Sequence, residues 1–439
     1  MSNIRRVLCS VAVILCLVAV GAAQAPQPTQ TGAPPVLHLG VYEAEQLALK
    51  NNPQISVARL LSLAEHQVTR EARSPLFPNT YASLTAVQPH DGSRIAAGGL
   101  NNPVVYQRAA GGVTLSQLIT DFGRTQNLSK SAEFREKAQL QNERATSQAI
   151  VLAVDQAFYQ ALGAQSLLNV AQETVRARQA VVDQVQALTR AKLKSELDLS
   201  FAQVNLSQAE LLLVDAQNNR DDAFARLNTL LGFEQPNAYD LIDTQGTLPT
   251  LSGTVDDQVS AAFRQRPDLQ ALNDQFESSE RFRRAEHELV LPTISALGTV
   301  GDVPVRVSQF LPWYGAIGVN VNIPVFNGFL FSARAREADY RTSVVQQQVR
   351  DLRNRIARDV RVTFLQVQAA HQRLSVTDQL LKQANLSLDL AQTRYQLGLG
   401  SIVELSQAQL QQTEAAIGSS TARYDYQSAL SLLRFQTGQ

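Results

Sequence analysis

The chain has 439 residues, with 39 Lys plus Arg against 39 Asp plus Glu and 6% aromatic residues. An even charge balance offers no basic face for nucleic acid. Both cysteines, Cys9 and Cys16, lie in the N-terminal segment, so the rest of the chain carries neither a disulfide nor a thiolate.

Segment 1–25 reads as a secretory signal peptide. Arg5 and Arg6 precede an apolar run over 7–20, and Ala23-Gln24-Ala25 supplies an A-x-A cleavage site. The apolar run is too short to span a bilayer. Leu15 stands where a lipoprotein signal needs a small residue, so the protein is expected not to be lipid-anchored. Residues 26–36, rich in Pro, Gln and Thr, form a flexible leader. No later run of 18 apolar residues predicts a membrane helix.

From residue 37 the chain divides into two similar units: a first structural repeat at 37–231, a linker at 232–253 and a second repeat at 254–439. Each is expected to run helix, β-hairpin, very long helix, turn, helix. Ala132-Glu133-Phe134-Arg135 returns as Ala338-Asp339-Tyr340-Arg341, Asp155 with Phe158 returns as Arg361 with Phe364, and Pro53 and Pro78 return as Pro267 and Pro292. A duplicated unit without a glycine-rich or cysteine–histidine core suits a scaffold better than a catalytic cleft.

In the first repeat a helix is expected over 42–73, then a hairpin within 79–120. Ala82, Leu84 and Ala86 alternate with Ser83 and Thr85, and Val113 and Leu115 with Thr114 and Ser116. Gly98-Gly99 and Gly111-Gly112 are assigned to the hairpin loop, with no following Lys-Ser/Thr to bind phosphate. The proline-free stretch 121–190 predicts a rod of about 100 Å. Along it Val154, Ala161, Leu168, Val175 and Val182 stand seven apart, and small residues follow at Ala157, Ala164 and Ala171, the pattern of a left-handed coiled assembly. A polar row, Gln165, Gln172, Gln179 and Gln186, lies one step further; it faces solvent, an aqueous lumen or a neighbouring protomer. A turn at 191–195 leads to a helix over 195–231.

The second repeat follows the same plan: a helix over 255–289, a hairpin within 291–326, a rod over about 330–397 and a helix over 401–435. Its clearest strand alternates Ile317, Val319, Val321, Ile323 and Val325 with Gly318, Asn320, Asn322 and Pro324. Trp313, Tyr314, Tyr81 and Tyr106 are candidate interfacial aromatics. The heptad row returns as Val360, Val367, Leu374, Leu381 and Leu388, and the polar row as His371, Asp378, Asn385 and Gln392. The shorter helices are expected to stack end to end beside the rods, 42–73 on 195–231 and 255–289 on 401–435, giving four helical strands per protomer.

Four strands cannot close a barrel, so a membrane barrel would have to be shared between protomers. His38, His66, His90, His287 and His371 are dispersed, and Glu286-His287-Glu288 lacks the two-histidine spacing of a metalloprotease. Neither an enzyme nor a cofactor is expected.

Leu37-His38-Leu39, Glu43-Ala44 and Leu47-Ala48-Leu49-Lys50-Asn51-Asn52-Pro53 resemble the opening helix of the TolC-like outer membrane efflux family. Asp121-Phe122-Gly123-Arg124 and Val325-Phe326-Asn327-Gly328 resemble its strand-to-helix junctions, and Tyr395 through Glu404 its second helix-turn-helix tip. The resemblance covers nearly the whole chain after the signal. It implies a mixed α and β fold: a homotrimer whose four strands per protomer form a 12-stranded outer-membrane β-barrel continuous with a long periplasmic α-helical coiled-coil barrel. It further implies a passive exit duct in the bacterial outer membrane, working with a periplasmic adaptor protein and an inner-membrane transporter in efflux or type I secretion.

By the same resemblance Tyr395 and Glu404 match an aromatic and the first of two acidic residues at the periplasmic entrance. Gln407 stands where the second acid is expected, and Asp198 is the first-half partner of Glu404. The adaptor-docking tip would comprise Lys192, Leu193 and Lys194 with Leu397, Gly398, Leu399 and Gly400, and Lys192 and Lys194 depart from the glycines of the second turn. The rival reading is a soluble periplasmic coiled-coil adaptor or structural protein. Such adaptors usually interrupt one helical hairpin with β-rich domains, whereas two full copies stand here.

Overall fold

The computed structural model describes residues 37–90, 106–233, 239–243, 253–306 and 311–439. The signal segment, the leader, Gly98-Gly99 and the linker's Pro236, Gly246 and Pro249 lie outside the described residues. The chain begins with strand β1 (Leu37–Leu39), then helices α1 (Val41–Asn51) and α2 (Pro53–Arg73), strands β2 (Asn79–Val87) and β3 (Arg108–Thr120), and helices α3 (Arg124–Arg190) and α4 (Glu196–Leu230). Strand β4 (Tyr239–Leu241) intervenes. The order then recurs as α5 (Val255–Gln265), α6 (Pro267–His287), β5 (Thr293–Val305), β6 (Trp313–Asn322), α7 (Leu330–Gln396) and α8 (Ile402–Thr437).

The rods α3 and α7 each have 67 residues, about 100 Å of helix. The heptad row turns inward: Val154, Ala161, Val360 and Val367 are fully buried, and Phe158 and Phe364, one turn on, are buried with them. Small residues such as Ala171, Ala216, Ala391 and Ala415 let neighbouring helices approach closely. On α7 the polar row does not face open solvent throughout. Asp378 accepts from Ser419 of α8 at 2.9 Å, Asn385 accepts from Gln412 at 3.2 Å, and the His371 ring lies 5.4 Å from that of Tyr426. These polar groups lace α7 to α8 within one hairpin.

The expected single helix over 42–73 is two helices, and so is that over 255–289. Asn52 and Arg266 are extended (ψ 123° and 120°), because the residue before a proline is driven out of the helical region. The break receives the end of a neighbouring helix. Asn52 donates from Nδ2 to the Leu230 carbonyl at 3.0 Å while its Oδ1 accepts from the Gln54 amide at 2.9 Å. Arg266 correspondingly donates to Gln436 at 2.6 Å. Gly232 and Gly438 close α4 and α8 in the left-handed region (φ 77° and 81°), each with its Cα against the opposite break: a Cβ would fall 2.8 Å from Asn51 or Arg266 backbone atoms. The ends of α4 and α8 thus meet the residues that precede α2 and α6. The shorter α1 packs Ala44 and Ala48 beside α3 in a cluster with Leu39, Ile150, Phe158, Leu227 and Tyr239. Each large apolar side chain buried there contributes about 1.5–3 kcal/mol. Parallel pairing of β1 with β4 covers this knot.

At the N-terminal ends of the rods a four-stranded antiparallel sheet runs β2-β3-β5-β6. Gly111 and Gly112 lie within β3, opposite Leu84 and Ser83, and not in a loop. Strand β6 begins at Trp313, earlier than the alternation suggested, and ends at Asn322; Ile323 and Val325 lie beyond it, next to Pro324, which has no N–H to donate. Each strand hands over to its rod through a left-handed pair, Phe122-Gly123 (φ 59° and 110°) and Gly328-Phe329 (φ 62° and 65°). The residue before each pair caps the helix: Asp121 accepts from the Thr125 amide at 2.7 Å, and Asn327 from the Phe331 amide at 3.4 Å.

Candidate functional site

The pairing register sorts the sheet's side chains onto two chemically different faces. One carries Ala82, Leu84, Ala86, Val113, Leu115, Val300, Ile317, Val319 and Val321. None of the described residues covers it: Leu84 is 91% and Ile317 93% exposed. The other carries Ser83, Thr85, Thr114, Ser116, Ser295, Thr299, Asn320 and Asn322, with Thr114 and Thr299 hydroxyls 3.2 Å apart. Strands of membrane barrels alternate in the same way, apolar toward lipid and polar toward the lumen. Among the described residues β2 and β6 keep one unpaired edge each.

The four expected interfacial aromatics divide between the surfaces. Trp313 stands on the apolar face, Tyr106 precedes β3, and Tyr81 and Tyr314 belong to the polar face. The Tyr314 ring lies across Gly112 and Gly301, where a Cβ on Gly301 would come within 2.5 Å of it. Sequence reasoning quoted Phe122 and Phe326 in the junction motifs but did not see the aromatic set that they form with Phe77 and Phe329 where strands meet helices, all four more than half exposed. Their signal was adjacency to the junction motifs, since aromatics gather where a spanning segment leaves lipid.

At the far end of the rods the two turns close on each other. Lys192 takes the left-handed conformation (φ 61°) that Gly398 takes in the second turn (φ 76°), so the two loops share one backbone path despite their different residues. Leu193 donates to the Leu188 carbonyl and Leu399 to the Arg394 carbonyl, at 2.9 and 2.8 Å. Leu193, Leu397 and Leu399 point their apolar side chains outward. Gly400 has Glu404 and Arg394 pressed against its Cα. At the matching place in the first turn, Lys194 sets its ammonium 4.4 Å from the centre of the Tyr395 ring.

Lys194, Asp198 and Tyr395 come together; Glu404 and Gln407 do not join them. Tyr395 is 3% exposed, packed with Val182, Val185, Ala202, Ile402 and Leu405 between the hairpins. Burial, then the charge of Asp198, raises its phenol above the ordinary range. Asp198 forms a capping box with Ser195, each side chain meeting the other's amide at 3.2 Å. Glu404 is committed elsewhere: its carboxylate accepts from Arg394 Nε at 3.0 Å, and its amide donates to Ser401 Oγ at 3.1 Å. Arg394 also donates to the Leu399 carbonyl at 3.2 Å, which ties the second turn shut. Gln407 is exposed on α8.

Away from the tip, His66 and His287 meet carboxylates of the adjacent rods, Glu136 at 2.7 Å and Asp339 at 3.0 Å. Among the described residues no three His, Cys, Asp or Glu stand together as a metal site, and no helix is long and apolar enough to cross a membrane. Near the α1 knot, Glu45 and Asp155 share a hydrogen bond beside Ser431 and Arg434.

Comparison with known proteins agrees with this geometry. The family model for outer membrane efflux protein matches residues 45–233 and 259–439. The outer membrane protein TolC of Salmonella enteritidis is 22% identical over 404 residues, covering 88% of this chain and 79% of that protein. The alkaline protease secretion protein AprF of Pseudomonas aeruginosa is 23% identical, covering 91% and 84%. The open-state crystal structure of the MtrE outer membrane channel of Neisseria gonorrhoeae superposes with a TM-score of 0.77 at 18% identity, over 91% of this chain and 88% of that one.

Proposed function

Because the chain belongs to the outer membrane efflux protein family, we propose that three copies of it form a passive exit duct of a tripartite efflux or type I secretion system. It is an outer-membrane protein with a mostly periplasmic helical part, and its family is one of transport channels. The observation that carries the reading is the sheet, which among the described residues is apolar on one uncovered face, polar on the other, and unpaired at each edge. Three such sheets joined edge to edge give twelve strands and leave no backbone group unpaired in lipid. The rods continue from the strands and extend the conduit by about 100 Å.

The tips then face a periplasmic adaptor and an inner-membrane transporter. Leu193, Leu397 and Leu399, flanked by Lys192 and Lys194, make the apolar contact surface, with Gly398 and Gly400 setting the turn. Asp198, Tyr395, Glu404 and Gln407 form the periplasmic entrance. Asp198 supplies the carboxylate nearest the inter-hairpin contact, and the Arg394–Glu404 pair holds the second tip closed. Three-fold repetition of such carboxylates favours cations.

The test is single-channel recording of the purified protein in a planar bilayer, alone and as Glu404→Ala. A small conductance that rises in the variant, with Arg394 released, is the expected result. Conductance unchanged by the substitution discards Glu404 as part of the closure. A folded oligomer that is soluble without detergent and carries no current returns the protein to the periplasmic adaptor reading.

A further inference from the structure

The small-residue row of α3, Ala157, Ala164 and Ala171, arrives seven residues later at Arg178. This arginine points into the contact between the hairpins and is 7% exposed. Its one hydrogen-bond partner among the described residues is neutral: Gln409 of α8, whose Oε1 accepts from the guanidinium. Burial alone pulls its pKa down, to about 10, and no carboxylate counteracts the loss of water. The guanidinium therefore stays charged at neutral pH, and a buried charge without a counter-charge is costly to the fold.

Beside it lies a cavity of about 480 Å³ between α3, α7 and α8, with Ser166, Asn169, Gln392, Gln409, Gln412 and Thr413 in its wall. The carboxylate in that wall, Glu173, is taken by Arg176 at 2.8 Å. With its Oε1 turned to Arg178, Gln409 keeps its amide N–H groups for another acceptor, as does Asn169, whose Oδ1 accepts from Gln165. A planar cationic fork beside side-chain amides and hydroxyls is the donor set for an oxyanion.

We propose that Arg178, with Gln409 and the amides around the cavity, binds a small oxyanion of the phosphate or carboxylate class at the seam between the two hairpins. A lipid headgroup is excluded by position. Arg178 stands 54 residues along α3 from its first residue, roughly 80 Å from the sheet. The anion supplies the missing counter-charge and joins α3 of the first hairpin to α8 of the second, about three turns above the tip.

The probe is inorganic phosphate, titrated into the full-length detergent-purified protein at constant ionic strength and followed by calorimetry and melting temperature. Saturable binding with one site per chain, accompanied by a rise in Tm, is expected for the wild type. Arg178→Gln is expected to weaken the affinity at least tenfold, while Arg144→Gln, an exposed arginine of α3 remote from the cavity, leaves it unchanged. Arg178→Met, which replaces the charge with an apolar chain, is expected to melt higher in phosphate-free buffer and to lose the phosphate increment. Absence of saturable binding in the wild type, or the same isotherm or increment in the Arg178 variants, overturns the site. Neither readout depends on channel conductance.

Discussion

Glu45 on α1 holds its proton to about pH 7, against an ordinary value of 4.5. Burial is the larger cause; the charge of Asp155 and the hydrogen bond shared with it come next, and Arg434 of α8 works against them. Asp155 on α3 is also raised by burial, with Ser431, Glu45 and Arg434 pulling it back. Between pH 4.5 and 7 the folded protein thus keeps a proton on Glu45 that the unfolded chain has released. The contribution of this group to stability falls as pH rises through that window. Glu45→Gln mimics the protonated form, so its melting temperature should exceed that of wild type at pH 8 and match it at pH 4. Equal melting temperatures at pH 8 would show that the pair releases its strain without that proton. In the second half the corresponding position is Val259, buried with Ile356 and Val360, so this carboxyl pair has no counterpart at that place.

The turns and breaks between helices set a sharper test. Gly398 and Gly232 both adopt left-handed φ, yet the space around Gly398 is open while Gly232 touches Asn51. Gly398→Ala should therefore cost about 1 kcal/mol, the price of the backbone conformation alone. Gly232→Ala should cost clearly more, because backbone atoms of Asn51 must also move. Chemical denaturation of both variants under one set of conditions checks the order. The elements themselves were largely legible. Heptad spacing at Val154 and Val360 announced the buried seam, and the alternation at Ile317, Val319 and Val321 announced a strand. What stayed hidden was tertiary. Pro53 and Pro267 were visible, but the helix ends that lodge at their breaks lie 178 and 170 positions from Asn52 and Arg266. The polar row on α7 gave no sign that its partners were Gln412 and Ser419. Arg178 passed unnoticed because the small-residue row seemed to stop at Ala171. The entrance residues came from resemblance to a family pattern, and a pattern of that kind says nothing of Arg394 occupying Glu404.

At the scale of the whole molecule, the two faces of the sheet predict opposite tolerances at adjacent positions. Val319→Arg places a charge on the apolar face and should cost about 2–4 kcal/mol if that face meets the bilayer midplane. Asn320→Arg, one residue along, projects from the polar face and should leave the yield of heat-resistant oligomer in outer-membrane fractions near that of wild type. Equal losses for both would argue against the division of faces. The same sheet constrains how the protein comes into being. The rods bury their own seams and satisfy their own hydrogen bonds, so a single copy has reason to form them in water. The strands do not: β2 and β6 present raw edges beside an uncovered apolar surface, a combination that pairs indiscriminately with any extended chain. A newly exported copy is thus two objects with different lifetimes, a durable coil and a perishable sheet. If three copies assemble as proposed, survival until two siblings arrive depends on something that shields those edges, and the rate at which siblings meet sets how much of the protein is lost to clumping.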